Sequence, residues 1–241
     1  MPDTSLVDGR FVRVTYALTA LLTLLALAIA ILDPDLYERM TRHDEIRGGG
    51  LVEHLTVVIL GIAAVIGVVA VHRTWKQQCR KPMILWVAAC TLGAVYFGGE
   101  EASWGQWYFG WATSKTFEEI NRQGETNLHN ISEWLSYKPK LLAQLFVIFA
   151  GWLVPWLQHL LGKTPSPGNL ASWILAPRAC WLAGAIFPLL WVLSSIDLPP
   201  VDGLGASEFR EFWIAWFLTL YLASYLPRLK TPPPTPAPAR P

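Results

Sequence analysis

Residues 97–130 read FGGEEASWGQWYFGWATSKTFEEINRQGETNLHN, and this stretch decides the fold. Two adjacent carboxylates, Glu100 and Glu101, directly follow a long apolar run, and another apolar run begins after Lys140. A helix needs about 20 apolar residues to cross a bilayer core of about 30 Å. The flanking runs therefore predict membrane spans, and residues 100–139 between them are expected to form a structured loop at the membrane surface.

The composition of the whole chain agrees with a membrane protein. Of its 241 residues, 53% are hydrophobic and 15% are charged, whereas soluble globular chains are about 25% charged. Apolar runs recur along the chain, which leaves no room for a sizeable soluble domain. No basic run interleaved with aromatic residues indicates a nucleic-acid partner, and the three cysteines form neither a CxxC metal motif nor a disulfide framework.

The apolar runs predict an all-α fold, a polytopic bundle of about six transmembrane helices in a single domain over residues 1–230. The expected spans cover residues 11–32, 51–71, 83–99, 140–161, 172–194 and 207–226. The tail, residues 231–241, is proline-rich and is expected to be disordered. Arg10 and Arg13 before the first span also fit a signal peptide, but the apolar run is longer than the roughly 7–15 residues of a signal sequence, so we expect an uncleaved helix.

Local signals predict how the connecting segments are built. Asp33-Pro34 should end the first span and open a polar loop over residues 33–50, because proline cannot extend a helix. The T-x-x-E pattern of residues 116–119 resembles a capping box and predicts a short interfacial helix over 117–123. Pro139 is expected in the first turn of the fourth span, and Pro155 is expected to kink it. Pro177-Arg178 is expected to interrupt the fifth span near its start.

The distribution of basic residues predicts the orientation. With both termini inside, the inner segments hold eleven of the nineteen Lys and Arg residues in the shorter loops, which is the sense of the positive-inside rule. Residues 100–139 then lie outside. In a bacterium, this means an inner-membrane protein with both termini in the cytoplasm and the loop on the periplasmic side.

Ionisable side chains are expected at one depth on that outer surface, because the second and sixth spans begin there and the third ends there. Carboxylates and imidazoles grouped in this way can exchange protons as general acid and base, or can hold a divalent metal with an open position for water. We assign catalytic roles to Glu100, Glu101 and His129, a metal-binding role to Glu53, His54 and Glu125, and supporting roles to Ser103, Gln106, Gln123, Asn127 and Asn130. Glu53, Glu100, Glu101, Glu125 and His129 are predicted to share one polar pocket.

Simpler interpretations exist for several of these residues. The dipole of the second span alone would favour Glu53 at its start, and Glu100 and Glu101 could mark the wet end of a helix. A helix C-terminus disfavours anions, however, so the glutamate pair calls for a partner, for which Arg122, Arg210 or a bound cation are the candidates. The tryptophans of the loop fit the aromatic belt found at membrane interfaces.

The motif pair E-E-x-S-W-G-Q at residues 100–106 and N-x-Q-G-E-T-N-L-H-N at residues 121–130 resembles that of a family of uncharacterised bacterial multi-span membrane proteins. The likeness covers residues 45–135 and implies the membrane fold without an activity. The paired glutamates are more distantly similar to those of CAAX-type intramembrane proteases. That motif, E-E-x-x-x-R, ends in arginine where this chain has Gly105, and its partner F-x-x-x-H would place phenylalanine where this chain has Glu125.

Three functions follow from the pattern. The first is a metal- or carboxylate-dependent hydrolase or transferase that acts on a lipid or envelope substrate at the outer face. The second is a structural or accessory subunit that docks a partner through the Trp-rich loop. The third is an ion-coupled transporter, against which counts the scarcity of ionisable residues deep in the spans.

The orientation is testable with a reporter that is active only outside the cytoplasm. Fused after Lys230, the reporter is expected to be silent, because six crossings return the chain to the inner side. Fused within residues 111–114, it is expected to be active. A strong signal from the fusion after Lys230 would contradict the six-span arrangement.

Overall fold

The computed structural model describes residues 7–41, 50–122, 124–163, 165–166, 169–194 and 207–230. These residues are mostly helical and include no strand. The helices, in chain order, are α1 (Gly9–Leu32), α2 (Pro34–Thr41), α3 (Leu51–Lys76), α4 (Lys81–Glu101), α5 (Gln106–Phe109), α6 (Lys115–Ile120), α7 (Glu133–Leu145), α8 (Val154–Leu160), α9 (Ala171–Ile174), α10 (Trp181–Ser194) and α11 (Ser207–Arg228). Short 3₁₀ turns occupy Ser103–Gly105 and Arg178–Cys180, and a π-helical segment joins α7 to α8. The predicted tail, residues 231–241, lies outside the described residues.

Five helical stretches are long and apolar enough to cross a membrane, in agreement with an all-α polytopic bundle. They are Gly9–Leu32, Leu51–Lys76, Lys81–Glu101, Glu133–Leu160 and Ala171–Val192. Their outward faces expose large apolar side chains such as Leu24, Val65, Leu92 and Leu142, which is the arrangement that lipid tails require. Each of the first five predicted spans therefore corresponds to one of these stretches.

The sixth predicted span forms the centre of the bundle. Helix α11 is 22 residues long and buries most of its side chains, including Trp213, Phe217 and Tyr221. It is too polar to belong to the five apolar stretches, since its ends carry Glu208, Arg210, Glu211 and Arg228. The other helices pack around it, and its crossing of the membrane stays a prediction.

The segment after the first span is not the polar loop that the sequence predicted. Asp33 does end α1, but Pro34 then begins α2. The Asp33 carboxylate accepts a hydrogen bond from the backbone N–H of Leu36 at 2.9 Å, and proline suits a first helical position. The same dipeptide therefore stops one helix and starts the next. Residues 42–49 lie outside the described part of the chain.

Helices α3 and α4 are longer than predicted, and they approach each other closely. A four-residue connection separates Lys76 from Lys81, so the two helices pack side by side and antiparallel. A Cβ atom on Gly67 would lie 2.4 Å from Oγ1 of Thr91, which shows why glycine is required there. Small residues commonly permit such approaches between membrane helices. The pairing brings Glu53 of α3 and Glu101 of α4 to the same end of the bundle.

The fourth span begins earlier than predicted and is interrupted before Pro155. Ser132 caps α7 by accepting from the backbone N–H of Leu135, so Pro139 lies inside the helix and not in its first turn. The π-helical segment Phe146–Leu153 directly precedes α8 and Pro155. Wider π turns are a common accommodation in an interrupted helix. Here the carbonyl of Ala150 accepts a hydrogen bond from the backbone N–H of Ala176, at 2.9 Å.

The fifth span is broken near Pro177, as predicted, into α9, a 3₁₀ turn and α10. The break leaves carbonyl groups at the end of α9, and α11 supplies donors for them. Tyr225 donates to Trp173 O at 2.5 Å, Tyr221 donates to Ile174 O at 2.7 Å, and Arg228 donates to Ser172 O. The Arg228 guanidinium also lies 4.7 Å from the centre of the Trp173 ring. The interior of a membrane bundle requires such pairing of every backbone group.

Candidate active site

Glu100, at the end of α4, fixes the loop that follows. Its side chain is buried, with 3% exposed. One carboxylate oxygen accepts from the Trp104 indole N–H at 2.7 Å, and the other accepts from the backbone N–H groups of Leu128 and His129 at 2.8 and 2.7 Å. The same oxygen lies 3.2 Å from Nδ1 of His129. Glu100 therefore holds both ends of the 104–129 loop against the last turn of α4.

The partners of Glu100 differ from those that the sequence suggested. Arg122 instead pairs with Glu133 at 3.4 Å on the surface. The anion at this helix C-terminus is stabilised by indole and backbone N–H donors that the chain itself brings back, and no arginine is needed.

Glu125 accepts a second set of hydrogen bonds inside the loop. Its carboxylate accepts from the hydroxyl of Ser103 at 2.6 Å, from the side-chain amide of Asn127 at 2.7 Å and from the indole of Trp107 at 3.2 Å. Ser103 and Asn127 are fully buried, so these hydrogen bonds form away from water. A buried polar group without a partner there would destabilise the fold. Glu125 therefore acts as a structural acceptor within the loop.

The two amide residues Gln106 and Asn121 complete this network. Gln106 accepts from the backbone N–H of Thr126 and donates to the hydroxyl of Thr113, both at 2.7 Å. Asn121 donates to the side chain and the carbonyl of Asn127 at 2.8 Å. The polar residues of the two sequence motifs thus bind mainly each other, which explains why amides and hydroxyls recur in them.

The turn that starts the loop is conformationally unusual. Ser103, Trp104 and Gly105 have φ values of 45°, 55° and 101° in succession. Such angles are uncommon for residues other than glycine, and at Ser103 and Trp104 they cost of order 1–3 kcal/mol per residue. The hydrogen bonds that Ser103 and Trp104 make to the two glutamates hold this turn in place. Gly99 lies against the Trp104 ring, and a Cβ atom there would come within 2.8 Å of it.

Beneath the loop lies a cavity of about 350 Å³ between α3, α4, α7 and α11. Glu53, Glu100, Glu101, Glu125 and His129 all line it, so the five residues that the sequence placed in one pocket do lie around one cavity. Apolar side chains line another part of its wall, among them Leu60, Phe97, Ile214 and Leu218. The cavity is therefore polar where the helices end and apolar toward the interior of the bundle.

Glu101 faces a second group of charged residues on the cavity wall. Glu53, Lys140 and Glu211 line the same wall, so three carboxyl groups and one ammonium group share this part of the cavity. The Lys140 ammonium donates to Glu211 and to the hydroxyl of Ser207, the latter at 3.0 Å. Carboxyls that share a site repel each other when both are ionised, and a proton held by one of them relieves this repulsion.

The sequence analysis missed the part of this group that α7 and α11 supply. Lys140 was treated only as the start of a span, and Glu211 as an acid at a helix start. A single lysine one residue after Pro139, at the edge of an apolar run, was the available signal. The contacts depend on how α7 packs against α11, which the sequence did not indicate.

Some of the predicted site residues do not line the cavity. His54 does not line the cavity, and its Nδ1 lies 3.0 Å from the hydroxyl of Tyr108. Burial, together with the negative charge of Glu53, raises the pKa of Tyr108, so the phenol stays protonated beside the imidazole. The backbone carbonyl of Asn130 accepts from the N–H of Arg122 at 3.2 Å. Gln123 lies outside the described residues.

The short interfacial helix has its cap two residues before the start of the predicted capping box. Helix α6 runs from Lys115 to Ile120, and Ser114, not Thr116, accepts from the backbone N–H of Phe117.

The described residues contain no group of three or more His, Cys, Asp or Glu side chains placed to hold a metal ion. The predicted metal set of Glu53, His54 and Glu125 is therefore not gathered by the structure.

Comparisons with known protein families, curated proteins and solved structures find no match to this chain. The chemistry of the cavity therefore rests on the geometry described above.

Glu100→Gln is expected to loosen the loop. The amide presents one acceptor where the carboxylate presents two, so a donor among Trp104, Leu128 and His129 loses its partner at a cost of about 1–3 kcal/mol. The measurement is the thermal unfolding temperature in lipid nanodiscs, together with the rate of proteolysis within residues 104–129.

The matched control is Glu133→Gln, because the Glu133 side chain is 85% exposed and pairs with the surface residue Arg122. It should change neither quantity appreciably. Equal behaviour of the two variants would show that Glu100 does not hold the loop.

Proposed function

We propose that the protein is a multi-pass membrane enzyme that hydrolyses or transfers a group on a lipid or envelope substrate by carboxylate-dependent acid–base catalysis. The observation that carries the proposal is the placement of the Glu101 and Glu211 carboxyls on the wall of one half-apolar cavity, beside the Lys140 ammonium that binds Glu211. In this proposal the two carboxyls share a proton, because neighbouring negative charges repel each other. A protonated carboxyl that borders a substrate-sized cavity can donate a proton to a leaving group.

Lys140 supports this role by fixing one half of the pair. Its ammonium binds Glu211 and the hydroxyl of Ser207, which fixes the Glu211 carboxyl on the cavity wall that it shares with Glu101. Glu101 is thus the proposed general acid, and Lys140 and Glu211 are positioning residues.

His129 supplies the complementary base in this proposal. The Glu100 carboxylate lies against Nδ1 of His129, and a carboxylate at that position favours the tautomer with hydrogen on Nδ1. The other ring nitrogen, Nε2, is then unprotonated and able to accept a proton from water or a substrate hydroxyl. The His129 side chain is 35% exposed and lines the same cavity as Glu101.

The cavity wall supports an amphiphilic substrate. Its polar part lies where the membrane helices end, and its apolar part extends between α3, α4 and α11. A volume of about 350 Å³ is within the roughly 300–1,000 Å³ typical of small-molecule sites. A lipid head group and the first part of its chain would match both the size and the polarity of this space.

The test compares enzyme and variants on a complex substrate mixture. Wild-type protein in nanodiscs is incubated with a bacterial envelope lipid extract, and the lipids consumed and formed are identified by mass spectrometry. Glu101→Gln and His129→Gln are each expected to lower turnover by about 10²–10⁴-fold, the usual contribution of a general acid or base. Glu133→Gln is expected to retain full turnover.

The proposal is contradicted if the folded wild type converts no component of the mixture. It is also contradicted if Glu101→Gln and His129→Gln turn over the substrate at the wild-type rate.

A further inference from the structure

We infer that the cavity accepts an amphiphile whose head group is a cationic amine, an alkylammonium. This inference rests on the proposed function only in placing the substrate in the same cavity, and it names the substrate's head group from the charges that line the site.

The charges around the cavity are strongly unbalanced. Six carboxyl side chains line it among the described residues, whereas Lys140 is the only lysine or arginine of that described lining. The six are Glu53, Glu100, Glu101, Glu125, Glu208 and Glu211. Lys140 offsets one negative charge, and the proton that Glu101 and Glu211 share in the proposed mechanism removes another. The cavity therefore keeps an excess of negative charge, which attracts a cation and repels an anion.

The single lysine is not available to an anionic head group. Lys140 already donates to Glu211 and to Ser207, and turning it toward a phosphate would leave Glu211 without its cation. Recognition of phosphate ordinarily uses arginine forks, lysines or a helix N-terminus. The two helices that begin at this rim, α3 and α11, carry Glu53 and Glu208 in their first turns, and these acids oppose an anion there. A phosphate or free carboxylate head group is therefore disfavoured, although either would be common among membrane lipids.

Aromatic side chains add a second reason for a cation. Tyr96 and Trp107 line the cavity beside the carboxyls, and the face of an aromatic ring attracts an ammonium group. Trp107 is oriented by its indole hydrogen bond to Glu125 at 3.2 Å. Carboxylates combined with aromatic rings suit an ammonium head group better than they suit a neutral alcohol.

The apolar wall defines the rest of the ligand. Leu60, Ile214 and Leu218 carry the lining from the charged rim into the bundle. A cavity near the lower end of the usual size range accommodates a head group and a single chain, and not two complete acyl chains.

The experiment measures binding of three octyl compounds to the full-length protein in phosphatidylcholine nanodiscs at pH 7. Octylammonium, octanol and octyl phosphate share a chain and differ only in head group. Quenching or enhancement of tryptophan fluorescence reports binding, since Trp107 lines the cavity, and empty nanodiscs provide the correction for partition into lipid. Octylammonium is expected to bind saturably and at least ten-fold more tightly than octanol, and octyl phosphate is expected not to saturate.

Two variants connect this binding to the cavity. Glu208→Gln removes a negative charge from the rim and is expected to weaken octylammonium binding by about ten-fold, whereas Glu133→Gln, outside the cavity, is expected to leave it unchanged. Equal affinities for octylammonium and octanol, or tighter binding of octyl phosphate, would overturn the inference.

His129→Gln separates this inference from the proposed function. The variant should bind octylammonium as the wild type does, while losing turnover. Turnover by the wild type without preference for octylammonium would leave the proposed catalysis standing and refute the amine head group. Selective binding of octylammonium with no turnover of any lipid would support the amine head group and refute the proposed catalysis.

Discussion

The buried carboxylate of Glu100 is the constraint on which the rest of the site depends. It accepts hydrogen bonds from Trp104 at the start of the loop and from Leu128 and His129 near its end. One side chain thereby closes a loop of more than twenty residues and covers the cavity with it. Three features require that closure: the strained turn at Ser103 and Trp104, the hydrogen bonds to Glu125 and the orientation of His129. Charge-assisted hydrogen bonds of this kind are roughly twice as strong as neutral ones. A carboxylate is therefore well suited to hold the two ends of the loop.

Adjacency in sequence then gives Glu100 and Glu101 different surroundings. Successive residues on a helix point about 100° apart, so two neighbouring carboxyls cannot face the same partners. Glu100 faces the returning loop, where backbone and indole N–H groups bind it. Glu101 faces α11 and α7, where it meets Glu211 and Lys140. The identical residues of the pair thus serve separately as a structural acceptor and as a candidate proton donor.

Much of the fold could be read from the sequence because its signals are local. The apolar runs predicted the five membrane-length helices, and Pro177 predicted the break between α9 and α10. Local signals can also be ambiguous: Asp33-Pro34 both ends α1 and begins α2, and a proline expected in the first turn, Pro139, lies within α7 because Ser132 provides an earlier cap. These differences arise from competing helix signals and not from long-range packing.

The candidate site could be predicted only in part. Glu53 and Glu101 come to one end because a short connection joins antiparallel helices, which is a topological argument available from sequence. Whether a carboxyl is saturated by donors, like Glu125, or faces another carboxyl, like Glu101, depends on the three-dimensional path of the loop and on the packing of α7 against α11. The partnership of Lys140 with Glu211 joins residues 71 positions apart, and no local pattern indicates it.

The proton that we propose Glu101 and Glu211 to share is detected most directly by infrared spectroscopy of the protein in nanodiscs at neutral pH. The wild type is predicted to show the carbonyl stretch of a protonated carboxylic acid, which disappears in Glu101→Gln and in Glu211→Gln and persists in Glu133→Gln. Absence of that band from the wild type, or its persistence in both cavity variants, would show that the two carboxyls do not share a proton.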